Sequence, residues 1–275
     1  MNLFANIFTD AIWPPIFLLV AALVPLLLFA WLIHLFEALM ERRLASRFGW
    51  NSVMLTGWLG TPVHELSHAL MCVLFRHEIV EMKLFEPDRE NRRLGYVIHS
   101  YQRGNWYQEI GNFFIGIAPL IGGTCLLLVL LMAFFPDVGR TALFSTSADL
   151  PLWPQVGSAL QGLFSGLLNV NNLASVRLWL FLYIVTCVGC HMAPSMDDYR
   201  GALKGGIMLL ILLAVASVVI ALVSPDATTL VSIAKPVLVP VITVMIAVIV
   251  LCAISTCLVY LATEITDWIR NRSRR

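Results

Sequence analysis

Two histidines stand four residues apart, with a glutamate beside the first, at His64-Glu65-Leu66-Ser67-His68. On a helix, residues four apart share a face, so both imidazoles can reach one metal ion. Glu65 lies about 100° further around the axis. From there it can act as a general base on metal-bound water without ligating the ion. Zinc suits this chemistry, because it lowers the pKa of a bound water to about 7. A catalytic zinc also needs a third protein ligand and one open position. The acidic candidates are Asp197 and Asp198, in Pro194-Ser-Met-Asp-Asp-Tyr-Arg-Gly201.

Other residues compete for chemical roles. Cys187-Val-Gly-Cys190-His191 matches the pattern of covalent haem attachment, but it lies in an apolar run. His191 has two readings: an oxyanion-stabilising pocket residue, or a histidine packed at a helix end. Glu264 and Asp267 offer a different third ligand, as in Ste24-like membrane metallopeptidases. Asn169, Asn171 and Asn172 can hold substrate backbone or cap a helix. His34 and Glu37 read as an interfacial pair.

The elements that must position these groups are apolar. Of 275 residues, 59% are hydrophobic and only 13% charged. Mean hydropathy is +0.83. Uninterrupted apolar runs of about 20 residues match a hydrocarbon core of roughly 30 Å. The sequence therefore predicts an all-α polytopic membrane protein, a single membrane domain over residues 1–275. About six spans are expected, at 12–38, 52–75, 112–135, 175–193, 205–223 and 237–263. Pro62, preceded by Gly57 and Gly60, is expected to kink or break the second span. The polar loop 77–108 reads as a small membrane-associated β-hairpin, with strands at 79–85 and 94–101 around a turn-rich segment. Residues 155–168 read as a short helix on the membrane. Residues 205–275 supply C-terminal helices and a basic tail that meets anionic headgroups.

A charged side chain at the bilayer centre costs about 3 kcal/mol, so two histidines and a glutamate inside a span point to function. Second and fourth spans run in one direction, so His64, His68 and the two aspartates approach the same face. The six cysteines all fall in apolar segments and read as buried thiols, not disulfides. The net charge of +1 gives no signal for nucleic acid. With six spans both termini share a face. That face carries twelve of the 18 Lys and Arg residues, which predicts a multi-pass protein of the cell inner membrane with cytoplasmic termini.

His64-Glu-Leu-Ser-His68 in one span, a small-residue run at Gly111-Asn-Phe-Phe-Ile-Gly-Ile-Ala-Pro-Leu-Ile-Gly-Gly123 in the next, and an aspartate ending the one after resemble the site-2 protease family of intramembrane zinc metalloproteases. The resemblance covers about 52–205, the three-helix metalloprotease core. It implies Zn2+ held by His64, His68 and Asp198, with Glu65 as base, and prefers Asp198 to Asp197. Beside this resemblance, Asn112 and His191 are read as substrate-binding, and a membrane-protein or peptide substrate is expected to add as a strand on the hairpin. The third-ligand segment differs from the family's usual Asn-Pro-Asp-Gly, and there is no room for a PDZ domain. The expected activity is endoproteolysis in or near transmembrane segments. The alternative is a non-catalytic metal-binding sensor or transporter.

Overall fold

A computed structural model describes residues 13–91, 93–144, 151–223 and 228–272. The chain is mostly helical, with one two-stranded sheet. In chain order the helices are α1 (Trp13–Phe48), α2 (Met54–Leu74), α3 (Trp106–Gly116), α4 (Ala118–Phe134), α5 (Pro136–Phe144), α6 (Leu152–Leu167), α7 (Val176–Gly189), α8 (Met196–Val223) and α9 (Thr228–Arg272). Strands β1 (Glu78–Lys83) and β2 (Tyr96–Ser100) pair antiparallel, with a bulge between Ile79 and Glu81.

Helix α2 is central and touches α3, α4, α7 and both strands. Its residues divide sharply. Leu55, Trp58, Leu66, Leu70 and Val73 face outward and are exposed, whereas Thr61, Glu65, His68 and Cys72 are buried. The inner face is thus the more polar one, the reverse of a water-soluble helix. By length and composition, one described helix can cross a membrane, within α9 at Pro236–Ile269. The bent pair α3–α4 would make a second.

The expected break at Pro62 is not seen, and helix α2 runs unbroken through it. The break falls instead in the third apolar run, where α3 and α4 meet at 58° around Ile117. Pro119 sits in the first turn of α4 and cannot donate to the carbonyl of Ile115, so a continuous helix loses a bond there.

The helix directions revise the six-span expectation. Thr256 bonds the carbonyl of Phe36 at 3.2 Å, Arg43 donates to Thr263 at 2.8 Å and pairs with Glu264, and Arg47 meets Asp267 at 2.7 Å. Positions rise together on both helices, so α1 and α9 are parallel. Six alternating spans would make them antiparallel. The cause lies between α7 and α8. Helix α7 runs parallel to α2, since Tyr183 bonds the Leu55 carbonyl and His191 the later His64. Helix α8 runs antiparallel to α3, with Gly116 against Ala202 and Glu109 against Lys204. Helix α3 is itself antiparallel to α2, with His77 at the Gln108 carbonyl and His68 at that of Ile115, so α8 carries on in the sense of α7 and does not turn back. The start of α1 and the end of α9 therefore lie at opposite ends of the bundle. The placement of both ends on one face rests on six alternating spans, an alternation that these helix directions do not show. The same ion pairs explain why α1 extends to Phe48, and why Arg43 and Arg47 lie against a neighbour. The tail beyond Arg272 lies outside the described residues.

The hairpin doubles back along α2. His77 follows the end of α2, Gly95 lies against Thr61, and Arg89 donates to Asn51 just ahead of α2. In its turn, side-chain and backbone bonds from Asn91 hold the Asp88 carboxyl below the usual carboxylate range. Gly49, at φ 82° and ψ 168°, follows α1 in an extended positive-φ conformation that essentially only glycine adopts.

Arg47→Cys with Asp267→Cys should cross-link through a short bis-maleimide in the intact protein. Pairing Arg47→Cys with a cysteine near the start of α9 should not. The reverse pattern would restore an antiparallel arrangement.

Candidate metal centre

His64 and His68 lie one turn apart on the inner face of α2, and each ring is fixed by a backbone carbonyl. Nδ1 of His64 donates to the carbonyl of His191 at 2.7 Å, and Nδ1 of His68 to that of Ile115 at 2.8 Å. A carbonyl only accepts, so both Nδ1 atoms carry the proton. In the neutral rings both Nε2 atoms are then lone pairs, and they face each other at 3.1 Å. Two lone pairs at that distance repel unless a cation lies between them.

Both acceptors are carbonyls without an ordinary helical partner. Ile115 would bond the N–H of residue 119, which is Pro119. His191 follows the end of α7, and the N–H four residues on, that of Ser195, donates to Asp198 at 2.7 Å. Broken helices thus supply the groups that aim the imidazoles, an arrangement typical around metal-binding histidines.

Asp198 completes the convergence. Its carboxylate oxygens lie 3.4 Å from Nε2 of His68 and 3.9 Å from Nε2 of His64. One ligand atom from each of the three residues lies within 4.8 Å of the others. The sequence fixes this carboxylate locally. Ser195 caps α8: its hydroxyl accepts from the Asp198 N–H at 3.2 Å, while the Asp198 carboxylate accepts from the Ser195 N–H. This reciprocal capping box holds Asp198 at the third helical position. Asp197, one residue earlier, points to solvent with its side chain 91% exposed and pairs with Arg200. Two nitrogens and one carboxylate oxygen are a donor set that zinc accepts.

Glycines bring the elements close enough. A Cβ on Gly60 would lie 2.7 Å from Cγ of His191, and one on Gly116 would lie 2.7 Å from Cβ of Ala202. Glu65 is buried, within electrostatic reach of His68, Asp198 and Arg93.

The remaining candidates are placed as follows. The backbone carbonyl of His191, not its ring, reaches this centre; the ring turns toward Glu41, 3.7 Å away. Asn112 is buried on α3, with long 3.5 Å contacts to the carbonyls of Gln108 and Glu109. Glu264 and Asp267 are engaged by Arg43 and Arg47 and join no candidate metal group among the described residues. Cys187 lies against the Leu55 carbonyl and Cys190 against Cys252, so the two thiols face different neighbours. Asn169 caps the helical turn Val170–Leu173. His34 meets Glu37 at 3.9 Å. Sequence reading passed over His99, whose ring meets His77 at 3.0 Å and lies within electrostatic reach of His68 and Asp198. Its position on β2 gave no signal, because only the fold-back of the hairpin brings it near.

Compared with known proteins, the chain matches no family model, no curated protein and no solved structure. The functional reading therefore rests on geometry.

Removing the capping hydroxyl with Ser195→Ala should weaken Zn2+ binding at this centre about 10-fold or more. Asp197→Ala should leave it within twofold. Zinc titration of chelator-stripped protein distinguishes the two, and equal effects would remove the capping box from the argument.

Proposed function

We propose that this chain is a membrane-embedded zinc endopeptidase that hydrolyses peptide bonds in or near the transmembrane segments of other proteins. The observation that carries the reading is the convergence of two imidazole lone pairs and a carboxylate beside a buried glutamate that is not one of the ligands. A site that served only to hold metal would need the three ligands but no acidic neighbour. Glu65 is that neighbour, one residue from His64 and buried.

The ligand set would be His64, His68 and Asp198. Zinc bound there would supply Lewis acidity, lowering the pKa of a coordinated water to about 7 and polarising the scissile carbonyl. Glu65 would take a proton from the attacking water and return it to the departing amine nitrogen. Ile115 and His191 would hold the ligand rings in register through their carbonyls. The donor set and order of elements agree with the resemblance to site-2 proteases.

The multi-pass membrane setting is supported by the inverted α2, buried polar inside and apolar outside, and by the exposed Leu203, Ile207 and Ile211 of α8. Contiguous exposed apolar surface of this kind is costly in water. The helix directions favour five passes.

Proteolysis needs an extended substrate, because a helix hides its carbonyls. The hairpin lies along α2, and as a two-stranded sheet it keeps its outer edges unpaired. A substrate segment of a membrane protein could add as a third strand there, close to the metal centre.

Glu65→Gln should keep full zinc content and abolish cleavage, a loss of at least about 100-fold for a general base. His68→Ala should lose both. Membrane fragments from cells expressing the wild type or Glu65→Gln would be compared. An unchanged fragment pattern, with zinc retained, would favour a non-catalytic metal protein instead.

A further inference from the structure

A second group of metal-ligating side chains lies behind the first. Glu37 and Glu41 stand four residues apart on α1 and so share a face. Opposite them is the ring of His191, in the connection between α7 and α8. One ligand atom from each of the three lies within 4.8 Å of the others.

The histidine gives an independent sign that something is to be bound. It is only 6% exposed, and among the described residues its Nε2 has no hydrogen-bond partner. Nδ1 is already used, 3.1 Å from the Cys187 carbonyl. That carbonyl accepts, so Nδ1 carries the proton and Nε2 of the neutral ring is a lone pair. The nearest acidic atom, Oε1 of Glu41, lies 3.7 Å away. Donors about 2.0–2.2 Å from a common ion are separated by distances of this order, beyond a direct hydrogen bond. In the first centre, the carboxylate–imidazole separations are 3.4 and 3.9 Å.

Charge points the same way. Two carboxylates approach each other, and among the described residues neither is paired with a lysine or arginine. The ring seat is specific as well. Gly60 of α2 leaves the room that the imidazole fills, since a Cβ there would lie 2.8 Å from Cβ of His191.

We propose that Glu37, Glu41 and His191 form a second divalent-cation site, of a kind suited to a first-row transition ion. Carboxylate and imidazole donors together accept Zn2+, Mn2+ and Fe2+. The site joins α1 to the α7–α8 connection. Its histidine also presents the carbonyl that orients His64, so a cation there stiffens the neighbouring centre through one residue.

The test uses the full chain in detergent, stripped with chelator, loaded with Zn2+ alone and counted by elemental analysis after removal of excess. Wild type should hold two ions per chain. Glu37→Gln with Glu41→Gln should hold one. His191→Ala should also hold one, because it keeps the backbone carbonyl used by His64. His68→Ala with Asp198→Asn should hold one, and the combination of carboxylate and first-centre changes none. Circular dichroism and gel filtration would confirm that each variant is folded. A wild type holding one ion, unchanged by Glu37→Gln/Glu41→Gln and by His191→Ala, overturns the second site and leaves the first intact. A count lowered only by those changes, and not by His68→Ala/Asp198→Asn, leaves the second site standing and removes the metal premise of the proposed protease.

Discussion

The arrangement depends on two N–H groups having somewhere to go. Each histidine of α2 donates Nδ1–H to a backbone carbonyl, and only then do both Nε2 lone pairs meet. A carbonyl inside a regular helix is already engaged. Those that serve here are free because Pro119 has no proton to give, and because the Ser195 N–H is used by Asp198. The irregular backbone at 115–119 and 190–195 is thus part of the site. It is also where irregular backbone can be tolerated in an apolar chain, since the freed groups find partners inside the protein.

Close packing of small residues turns this local chemistry into a tertiary site. Gly60 admits His191, Gly116 admits α8 at Ala202, and Gly122 meets Ser67, one residue before a ligand. Any side chain at these positions would separate the elements that carry the donors. Overpacking of this kind costs about 1–3 kcal/mol in a well-packed core. Here it would act on ligand geometry as well as on stability.

Topology follows from polar pairs more than from apolar runs. Hydropathy marks where the chain can be buried but is silent about direction. The pairs of Arg43 and Arg47 with Glu264 and Asp267 set α1 and α9 parallel. The capping box at Ser195 starts α8 nine residues before its apolar run begins at Gly205, and α7 and α8 run in one direction. A loop of charged residues between two apolar runs reads as a reversal in sequence; here it is a step within a path.

The sequence by itself determined the apolar class, the helical content, the hairpin and the pairing of His64 with His68, because all are local: composition, period and a four-residue spacing. It narrowed the distant acid to two neighbours. Tertiary structure decided between them by the capping box, which turns Asp198 inward and leaves Asp197 in solvent. It also decided the ring direction of His191, the grouping of that ring with Glu37 and Glu41, and the relative directions of the helices. These depend on which elements lie side by side and in which sense, and a one-dimensional pattern of burial carries neither.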